Sequence, residues 1–313
     1  MRKFIIDTDT ASDDAAALVV AAFAQDIEIL GVTTVSGNVS LDQATLNALA
    51  TLEMCGCEVP VYKGAQRPLF HERQSTVSVH GSDGMGDCAL INPTRKPCNR
   101  RAVDFILDTV SKYPGEVEIV TLGPATNVAL AVLTDREIMK NVKHIWSMGT
   151  PGFGPGNVTP VAEFNVFSDA HAYAVMLDSG APVTIIGFDL CAGDIGINKS
   201  ELARMANGNA AGRFLEKATR GLLEFNIATR NLAVADLADA VAMAVALWDG
   251  FVIDKVNCRC KCCTEKNETY GQVIFYREGA TYEAFSGEGN PTATVVTKVD
   301  VKMFKKKFME LML

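Results

Sequence analysis

Short apolar runs alternate with segments of helical spacing along most of the chain. The runs long enough for buried strands are Phe4–Ile6, Ile27–Val35, Val59–Tyr62, Val117–Leu122, Ile145–Met148 and Val183–Phe188. Between them lie segments with helical periodicity, such as Leu41–Met54 and Arg101–Tyr113. Strands that alternate with helices at this interval predict an α/β fold, with a mostly parallel open sheet and helices on both faces.

The first apolar run leads into an acidic turn and then into a helix of small residues. The turn contains Asp7, Asp9, Asp13 and Asp14. It follows the carboxyl end of the first strand, where open α/β sheets place their ligands. Crowded carboxylates repel one another unless a cation or hydrogen-bond donors keep them ionised, and a hard divalent cation such as Ca²⁺ or Mg²⁺ explains all four. A solvated turn that caps the helix is the alternative, and this stretch alone leaves both open.

Two later segments have the composition of loops. Regular periodicity disappears from His71 to Pro97, and the polar, glycine-rich stretch that begins at His80 is typical of a lid or binding loop. A lone histidine there is by default solvated. The segment Gly149–Pro160, with four glycines and three prolines, also predicts a loop.

Three acids outside the first turn are candidates for the same site. Glu163 lies two residues before Asn165, so both side chains would share one side of an extended segment. Asp239 begins a helix of small residues, and Asp236 precedes it by about one turn before a similar Leu-Ala pair. These residues by themselves leave the choice between Asp239 and Asp236 open.

The run CRCKCC at Cys258–Cys263 has two interpretations. It lacks the two-residue gap of zinc-binding cysteine pairs, and no histidine lies nearby. Cys258, Cys260 and Cys262 alternate with charged residues, which is the period of a half-buried strand. We therefore expect a strand whose thiols face the core.

Charge and composition limit the function classes. A formal net charge of −8 and a pI near 5.1 argue against a nucleic-acid-binding protein, which usually has a basic face. No apolar run approaches the roughly 18 residues of a membrane span. Because Met1 leads almost directly into the first strand, we expect no signal peptide. The nine cysteines, an odd number, fit a reducing compartment. We expect a cytoplasmic protein, folded as one domain over residues 1–313, that binds neither nucleic acid nor membrane.

Several blocks of the sequence resemble, in their order and spacing, the nucleoside hydrolases of the inosine–uridine-preferring type. The resemblance runs from Ile5 to about Phe308. Its blocks are DTDTASDDAAAL from Asp7, SGN from Ser36, PVYKGA from Pro60, HGSDGMGD from His80, LGPATNVALA from Leu122, GNVTPVAEFNVFSDAHA from Gly156 and DAVAMAVAL from Asp239. The resemblance implies a homodimer or homotetramer that hydrolyses the N-glycosidic bond of small-molecule ribonucleosides to free base and ribose, in purine or pyrimidine salvage.

The resemblance also implies roles for individual residues. The groups that would hold Ca²⁺ are Asp9, Asp14, the Leu122 carbonyl and Asp239. Asp9 would also be the general base toward a metal-bound water. The residues that would bind the ribose hydroxyls are Asp13, Asn38, Asn157, Glu163 and Asn165, with Met148 beneath the sugar. Taken singly, most of these residue types are equally typical of turns and helix caps.

The chain departs from the family pattern at two positions. Ala11 stands where the family usually has glycine, which the fold tolerates only if the backbone there does not need a positive φ. Ala238 stands where many members have a leaving-group histidine and others an aromatic residue, and alanine can neither protonate nor stack on a base. We therefore expect His80, Asn226 or Arg230 to activate the departing base.

Two other functions compete with this interpretation. A nucleoside- or ribose-binding protein with weak or lost catalysis would keep the same polar residues and explain Ala238. The start IIDTDT also fits haloacid-dehalogenase-like phosphohydrolases, in which Asp7 would be the nucleophile, Asp9 the acid and base, and Mg²⁺ the cofactor. The rest of the chain matches the nucleoside hydrolase blocks. The preferred nucleobase cannot be read from these residues.

Overall fold

The computed structural model describes residues 1–74, 76–88, 92–280 and 291–313 of the chain. Within these ranges, nine strands form one sheet and two strands form a separate pair. The strands are β1 Arg2–Thr8, β2 Ile27–Thr34, β3 Val61–Lys63, β4 Val117–Thr121, β5 His144–Met148, β6 Val183–Ile186, β7 Ile197–Asn198, β8 Val234–Ala235, β9 Val252–Cys262, β10 Val273–Arg277 and β11 Ala293–Val299.

Helices connect most of these strands. They are α1 Ser12–Ala22, α2 Leu41–Met54, α3 Val77–His80, α4 Ala102–Lys112, α5 Thr126–Thr134, α6 Arg136–Met139, α7 Phe164–Ser168, α8 Ala170–Leu177, α9 Lys199–Met205, α10 Ala210–Arg230, α11 Ala238–Leu247 and α12 Val301–Met312. Among the described helices, none combines the length and the apolar composition that crossing a membrane would require.

The large sheet has the strand order β10-β9-β11-β6-β5-β4-β1-β2-β3. Every pair from β11 to β3 is parallel, and β9 and β10 add an antiparallel edge. Alternate residues of β1 enter two different hydrophobic clusters, Phe4 and Ile6 in one and Ile5 in the other. Because successive side chains of a strand point to opposite faces, helices cover both sides of the sheet. The predicted α/β fold with a mostly parallel sheet is confirmed.

The connections reverse direction next to β1. From β1 the chain passes to β2 and β3 on one side, whereas β4, β5 and β6 lie on the other. Such a switch opens a crevice at the carboxyl ends of the two central strands, which is where α/β sheets bind ligands. The acidic turn that follows β1 therefore lies at the crevice between β1 and β4.

Helices α1 and α11 pack against each other. Both consist largely of alanine and valine, and all ten residues of α11 are buried. Short side chains allow the two helix axes to approach closely. The first turns of these helices contain Asp13, Asp14 and Asp239, so helix packing brings together acids that are far apart in the sequence.

The cysteine run forms a strand, as expected. Strand β9 ends at Cys262, and the thiols of Cys258, Cys260 and Cys262 are buried in the hydrophobic cluster that also contains Ile5. All three cysteines are free thiols. The alternation of thiols and charged residues was therefore a reliable sign of a half-buried strand.

Two local predictions differ from the structure. The segment with Glu163 and Asn165 is not extended: Phe164–Ser168 forms the short helix α7, which Glu163 caps through its carboxylate. The segment His71–Pro97 is not a loop throughout, because it contains the helical turn α3. Residues 75 and 89–91 of that segment lie outside the described residues.

Candidate active site

Three carboxylates meet where α1 and α11 begin. Asp13, Asp14 and Asp239 each offer an oxygen, and these atoms lie within 4.8 Å of one another. Burial, together with repulsion from the neighbouring acids, raises the pKa of Asp14 and of Asp239 well above the ordinary value. The two helix N-termini favour negative charge here but do not supply a counter-ion.

Asp9 lies beside this cluster and is fully buried. Its Oδ2 accepts a hydrogen bond from the backbone N–H of Asn38 at 2.5 Å, and its Oδ1 has no partner among the described residues. Burial and the charges of Asp13 and Asp7 raise the pKa of Asp9 to about 7, although the hydrogen bond from Asn38 opposes the shift. A carboxylate held in this way can accept a proton near neutral pH.

Two glycines make room for Asp9. A Cβ atom on Gly37 would lie 2.1 Å from Asp9 Oδ2, and one on Gly123 would lie 2.6 Å from Asp9 Oδ1. Any side chain at either position would therefore displace the carboxylate. Sequence reasoning missed the role of both glycines, although each lies inside a family block.

The alternative of a solvated, capping turn is only partly correct. Asp14 does cap α1, because its carboxylate accepts hydrogen bonds from the Ala11 N–H at 2.8 Å and the Thr8 hydroxyl at 2.5 Å. However, Asp7, Asp9 and Asp14 are all fully buried. The backbone at Ala11 is extended, with a φ of −101°, so alanine fits where the family usually has glycine.

The donor set of the acidic turn fits a hard cation. Asp9, Asp13 and Asp239 each have a buried carboxylate oxygen without a hydrogen-bond partner in the described part of the chain. Buried polar atoms in proteins are normally satisfied, and unpartnered carboxylate oxygens are the ligands that Ca²⁺ and Mg²⁺ prefer. The structure brings Asp14 and Asp239 together, and it adds Asp13, to which the family resemblance assigned a ribose hydroxyl. The Leu122 carbonyl accepts a hydrogen bond from Asn165 Nδ2 at 2.7 Å.

A cavity beside the acids brings together most of the other predicted residues. Its lining includes Asp13, Asn38, His80, Met148, Asn157, Glu163, Asn165, Asn226, Arg230, Ala238 and Asp239. Several apolar side chains complete the wall, among them Val79, Phe188, Leu222 and Phe225. The cavity therefore has two sections. The polar section, lined by carboxylates and amides, lies near the acids, and the section near α10 is lined partly by aromatic side chains.

The polar section is rigidly hydrogen bonded. Glu163 accepts hydrogen bonds from the backbone N–H groups of Asn165 at 2.9 Å and Thr150 at 3.2 Å, while burial raises its pKa to about 7. Asn165 Nδ2 also lies 3.3 Å from Met148 Sδ, and its Oδ1 is buried without a partner among the described residues. Asn157 Oδ1 accepts a hydrogen bond from the Phe164 N–H at 3.0 Å. The amide oxygen of Asn165 is thus available to a ligand.

Asn38 connects this section to the segment before α3. Its Oδ1 accepts a hydrogen bond from Thr76 Oγ1 at 2.6 Å, while its backbone N–H donates to Asp9. Since Asn38 follows β2 and Asp9 follows β1, the two neighbouring strands fix the position of the general-base candidate. Asn38 therefore supports Asp9 through its backbone, a role that its side-chain type did not indicate.

His80 is buried rather than solvated. It ends α3 with 8% of its surface exposed, and its Nδ1 lies 2.9 Å from Ser12 Oγ and 3.9 Å from Asp13 Oδ1. Burial lowers its pKa, and the charge of Asp13 opposes this shift. Asn47 links the acidic turn to the segment that follows α3, because its Nδ2 donates to Thr10 O and Asp83 O, both at 2.8 Å.

Asp236 belongs to a different group from Asp239. Its Oδ2 accepts hydrogen bonds from Asn226 Nδ2 at 2.9 Å and Arg230 Nη1 at 3.4 Å. Both partners extend from the last turns of α10. The structure thus separates the two acids: Asp239 joins the carboxylate cluster, and Asp236 pairs with the Arg230 guanidinium.

Asp7 lies in β1, just before the acidic turn, and is held by hydrogen bonds from neighbouring elements. Its Oδ1 accepts hydrogen bonds from Thr33 Oγ1 at 2.5 Å and Asn127 Nδ2 at 2.7 Å. Burial raises its pKa to about 6 despite these donors. Asn127 Oδ1 also accepts the Ala65 N–H at 2.7 Å and its Nδ2 donates to Thr34 O at 3.0 Å, so this one amide links the ends of β1 and β2 to the segment at Ala65.

An α/β sheet with buried acids at its switch point, beside a cavity lined with carboxylates and amides, is the arrangement of an enzyme that binds a small polar molecule. Residues 4–306 match the model of the family described as inosine-uridine preferring nucleoside hydrolase, and the chain belongs to that family. The family match excludes the alternative that the chain is a haloacid-dehalogenase-like phosphohydrolase.

Individual relatives agree with this assignment. The chain is 43% identical over 190 residues to uridine nucleosidase 1 of Arabidopsis thaliana, across 60% of this chain and 56% of that protein. It is 33% identical over 248 residues to the pyrimidine-specific ribonucleoside hydrolase RihB of Escherichia coli O1:K1, across 77% of each. A solved plant nucleoside hydrolase superposes with a TM-score of 0.94 at 28% identity, covering 99% of this chain and 98% of that one. The chain spans 56–61% of the length of the first curated relatives it matches.

Proposed function

We propose that this protein hydrolyses the N-glycosidic bond of ribonucleosides and releases free base and ribose. The observation that carries the proposal is the cluster of half-buried Asp13 with buried Asp9, Asp14 and Asp239 beside the polar cavity. Relatives named uridine nucleosidase and pyrimidine-specific ribonucleoside hydrolase support a ribonucleoside as the substrate. Such hydrolysis passes through an oxocarbenium-like state, for which carboxylates provide both electrostatic stabilisation and proton transfer.

We propose Ca²⁺ as the cofactor. The groups that would hold it are Asp9, Asp14, Asp239 and the Leu122 carbonyl, and the unpartnered oxygens of Asp9 and Asp239 support this assignment. When bound, the cation supplies Lewis acidity that lowers the pKa of the attacking water. A carboxylate oxygen of Asp13 lies within 4.8 Å of oxygens of Asp14 and Asp239, close enough to bind the same cation.

Asp9 is the general base of the proposed reaction. Its Oδ1 has no partner in the described part of the chain, so it can take a proton from the water that attacks C1′. Its Oδ2 is fixed by the Asn38 N–H, which prevents the side chain from rotating away. Positioning of this kind contributes to the rate because the reacting groups need no reorganisation.

The ribose is bound by the polar section of the cavity. The residues assigned to its hydroxyls are Asp13, Asn38, Asn157, Glu163 and Asn165. Asn165 offers an unpartnered amide oxygen, and Glu163 offers a carboxylate already oriented by backbone donors. Met148 lines the same section and packs beneath the sugar. Each buried hydroxyl needs such a partner, because an unsatisfied one costs about 1–3 kcal/mol.

The base occupies the section near α10. The side chains proposed to activate it, His80, Asn226 and Arg230, all line the cavity. Ala238 lines the same section and carries no polar group. Ala238 is also the observation that favours the second candidate function, a nucleoside- or ribose-binding protein with weak or lost catalysis.

The proposal is tested by measuring the release of reducing sugar from inosine, adenosine, guanosine, uridine and cytidine, with and without a calcium chelator. Release that stops on chelation and returns with Ca²⁺ is the expected result, and the ranking gives the preferred base. Tight binding of a nucleoside by folded, calcium-loaded protein without release of base would instead establish the binding function.

The oligomeric state, the location in the cell and the domain organisation stay predictions. The homodimer or homotetramer, the cytoplasmic location and the single domain over residues 1–313 follow from the sequence and the family resemblance. Light scattering after gel filtration tests the first of these, and a monomer would contradict it.

A further inference from the structure

One cationic side chain lines the cavity. Within the described part of the chain, Arg230 is the single lysine or arginine in the lining. Its Nη1 donates to Asp236 Oδ2 at 3.4 Å, and no other hydrogen bond of the guanidinium is found among the described residues. A guanidinium carries five N–H donors in a planar fork, so most of them are available to a ligand.

The guanidinium is held in place from several sides. It lies over the rings of Phe188 and Phe225, with centroid distances of 5.3 and 5.8 Å. Its partner Asp236 is itself fixed, since it is 6% exposed and accepts a hydrogen bond from Asn226. Arg230 is thus a positioned cation rather than a mobile surface arginine.

Among the described residues near α10, the carboxyl group that lines the cavity is Asp236, and it already accepts hydrogen bonds from Asn226 and Arg230 rather than being placed to donate a proton to the nucleobase. Ala238 lines the cavity directly before Asp239 and offers no proton. The Nδ1 of His80 is directed at Ser12 and Asp13, on the side of the acidic turn. When the C1′–N bond breaks, its electron pair moves onto the base, which must then be either protonated or stabilised as an anion.

We propose that Arg230 stabilises the departing base as an anion, and that Asp236 is its positioning residue. The inference rests on the proposed hydrolase function and deepens it by assigning the leaving group. The favoured substrates are ribonucleosides whose base delocalises the negative charge onto a ring carbonyl oxygen. A guanidinium can donate to that oxygen and to the adjacent ring nitrogen together, whereas exocyclic amino groups present N–H donors that it repels.

The step is balanced without an acid. The C1′–N bond breaks with its electron pair on the base, the water oxygen bonds to C1′, and a water proton passes to Asp9. After cleavage the anionic base takes a proton from solvent, and Asp9 returns its proton to solvent. Arg230 keeps all its protons throughout, so its contribution is electrostatic.

The decisive experiment compares two leaving groups in the Arg230→Met variant. Uridine needs help for its base to leave, whereas 4-nitrophenyl β-D-ribofuranoside releases an anion that is stable without help. We expect the substitution to lower kcat/KM for uridine by about 10²–10³-fold, the typical loss for one electrostatic donor, and for the nitrophenyl riboside by less than about tenfold. Arg220→Met is the matched control, because Arg220 lies on the same helix and pairs with Glu216 outside the cavity.

Chemical rescue is the second test, because turnover that returns with added guanidinium shows that the variant is folded and lacks only the guanidinium group. In Arg230→Ala, added guanidinium ion is expected to restore uridine turnover in a saturable manner, without increasing turnover of the Arg220→Met control. Equal losses on both substrates, an unchanged rate on uridine, or the absence of rescue would each overturn the inference. If the wild type cleaves the nitrophenyl riboside and no nucleoside, the inference fails while the hydrolytic site stands. If it cleaves neither, the proposed function itself fails.

Discussion

At the scale of single residues, the geometry around Asp9 separates two requirements that one carboxylate must meet. Its Oδ2 is anchored by the backbone of Asn38, and its Oδ1 is left without a partner in the described residues. Gly37 and Gly123 provide the space for both oxygens. Changes at Asp9 and at a glycine beside it therefore test the chemistry and the positioning separately.

Asp9→Asn keeps the shape of the side chain and the acceptor for the Asn38 N–H but removes the proton acceptor. We expect kcat to fall by about 10²–10⁴-fold, the usual contribution of a general base. In a calcium chelator the melting temperature should not fall, because the neutral amide removes a buried charge from the acidic cluster. Asp26→Asn, at an exposed position, is the control. Near-normal kcat in Asp9→Asn would exclude Asp9 as the base.

Gly37→Ala tests the positioning of Asp9 without removing its carboxylate. The new Cβ would lie 2.1 Å from Asp9 Oδ2, so the side chain must move and the Asn38 hydrogen bond must lengthen. We expect kcat to fall by on the order of 10²-fold, as for other misplaced catalytic groups. Gly221→Ala in α10 is the matched control, since its nearest neighbour would be 3.6 Å away. That control should gain roughly 0.5–1 kcal/mol in stability as a helical alanine; equal activity in both variants would contradict the argument.

At the scale of elements, the two ends of the central strands have different roles. Their carboxyl ends hold the candidate site, while Glu118 joins the amino ends of β1, β4 and β5. Its carboxylate accepts hydrogen bonds from Arg2 Nε at 2.9 Å, Trp146 Nε1 at 2.9 Å and Lys143 Nζ at 3.1 Å. Burial raises its pKa, but these donors outweigh burial and hold the pKa below the ordinary value.

Glu118→Gln is expected to lower stability without lowering activity. The ionised carboxylate contributes stability above its unfolded pKa, and this contribution disappears as the pH falls through the lower folded pKa. We expect a loss of about 1–3 kcal/mol at pH 7 in urea denaturation, and a smaller difference from wild type at a pH below the ordinary value of 4.5. Glu116→Gln removes a solvent-exposed ion pair with Lys3 and should change stability far less than Glu118→Gln does. A pH-independent difference would contradict the assigned role of Glu118.

Elements with strong periodicity were predicted well, and short ones were not. Strands β1, β2, β4 and β5 lie where the apolar runs predicted them, because several buried residues define each run. Helix α7 is five residues long and depends on the Glu163 side chain accepting its first N–H groups. A segment of that length has too few turns for helical periodicity to differ from that of a strand.

At the scale of the whole molecule, the buried acids oppose folding unless a cation neutralises them. Asp7, Asp9 and Asp14 are fully buried and Asp239 nearly so, and burial raises the pKa of each. A ligand that binds the folded state alone stabilises it by RT ln(1 + [L]/Kd). Stability should therefore be linked to the proposed calcium site.

We expect Ca²⁺ at 100 times its Kd to increase the free energy of unfolding by about 2.7 kcal/mol, and a chelator to reverse the increase. In Asp239→Asn the calcium-dependent increase should disappear, while stability in the chelator stays equal or rises, because one repelling charge is removed. Differential scanning calorimetry at several calcium concentrations measures both effects. A wild-type melting temperature that does not change with the Ca²⁺ concentration would contradict the proposed site.

The sequence alone determined the α/β class, the strands of the central sheet, the acidic turn after the first strand and the family. Each depends on local periodicity or on short blocks whose order is visible along the chain. The tertiary structure decided which acids meet, that His80 is buried against Ser12, and that Asp236 faces Arg230 while Asp239 joins Asp14. The contacts of Ser12 with His80 and of Asp14 with Asp239 form between segments distant in the chain, and the packing of α1 on α11 sets the second distance. Asp236 and Arg230 are only six residues apart, but the turn of the chain after α10 decides that they meet. Local periodicity specifies which face of an element is buried, but not which side chain it meets there.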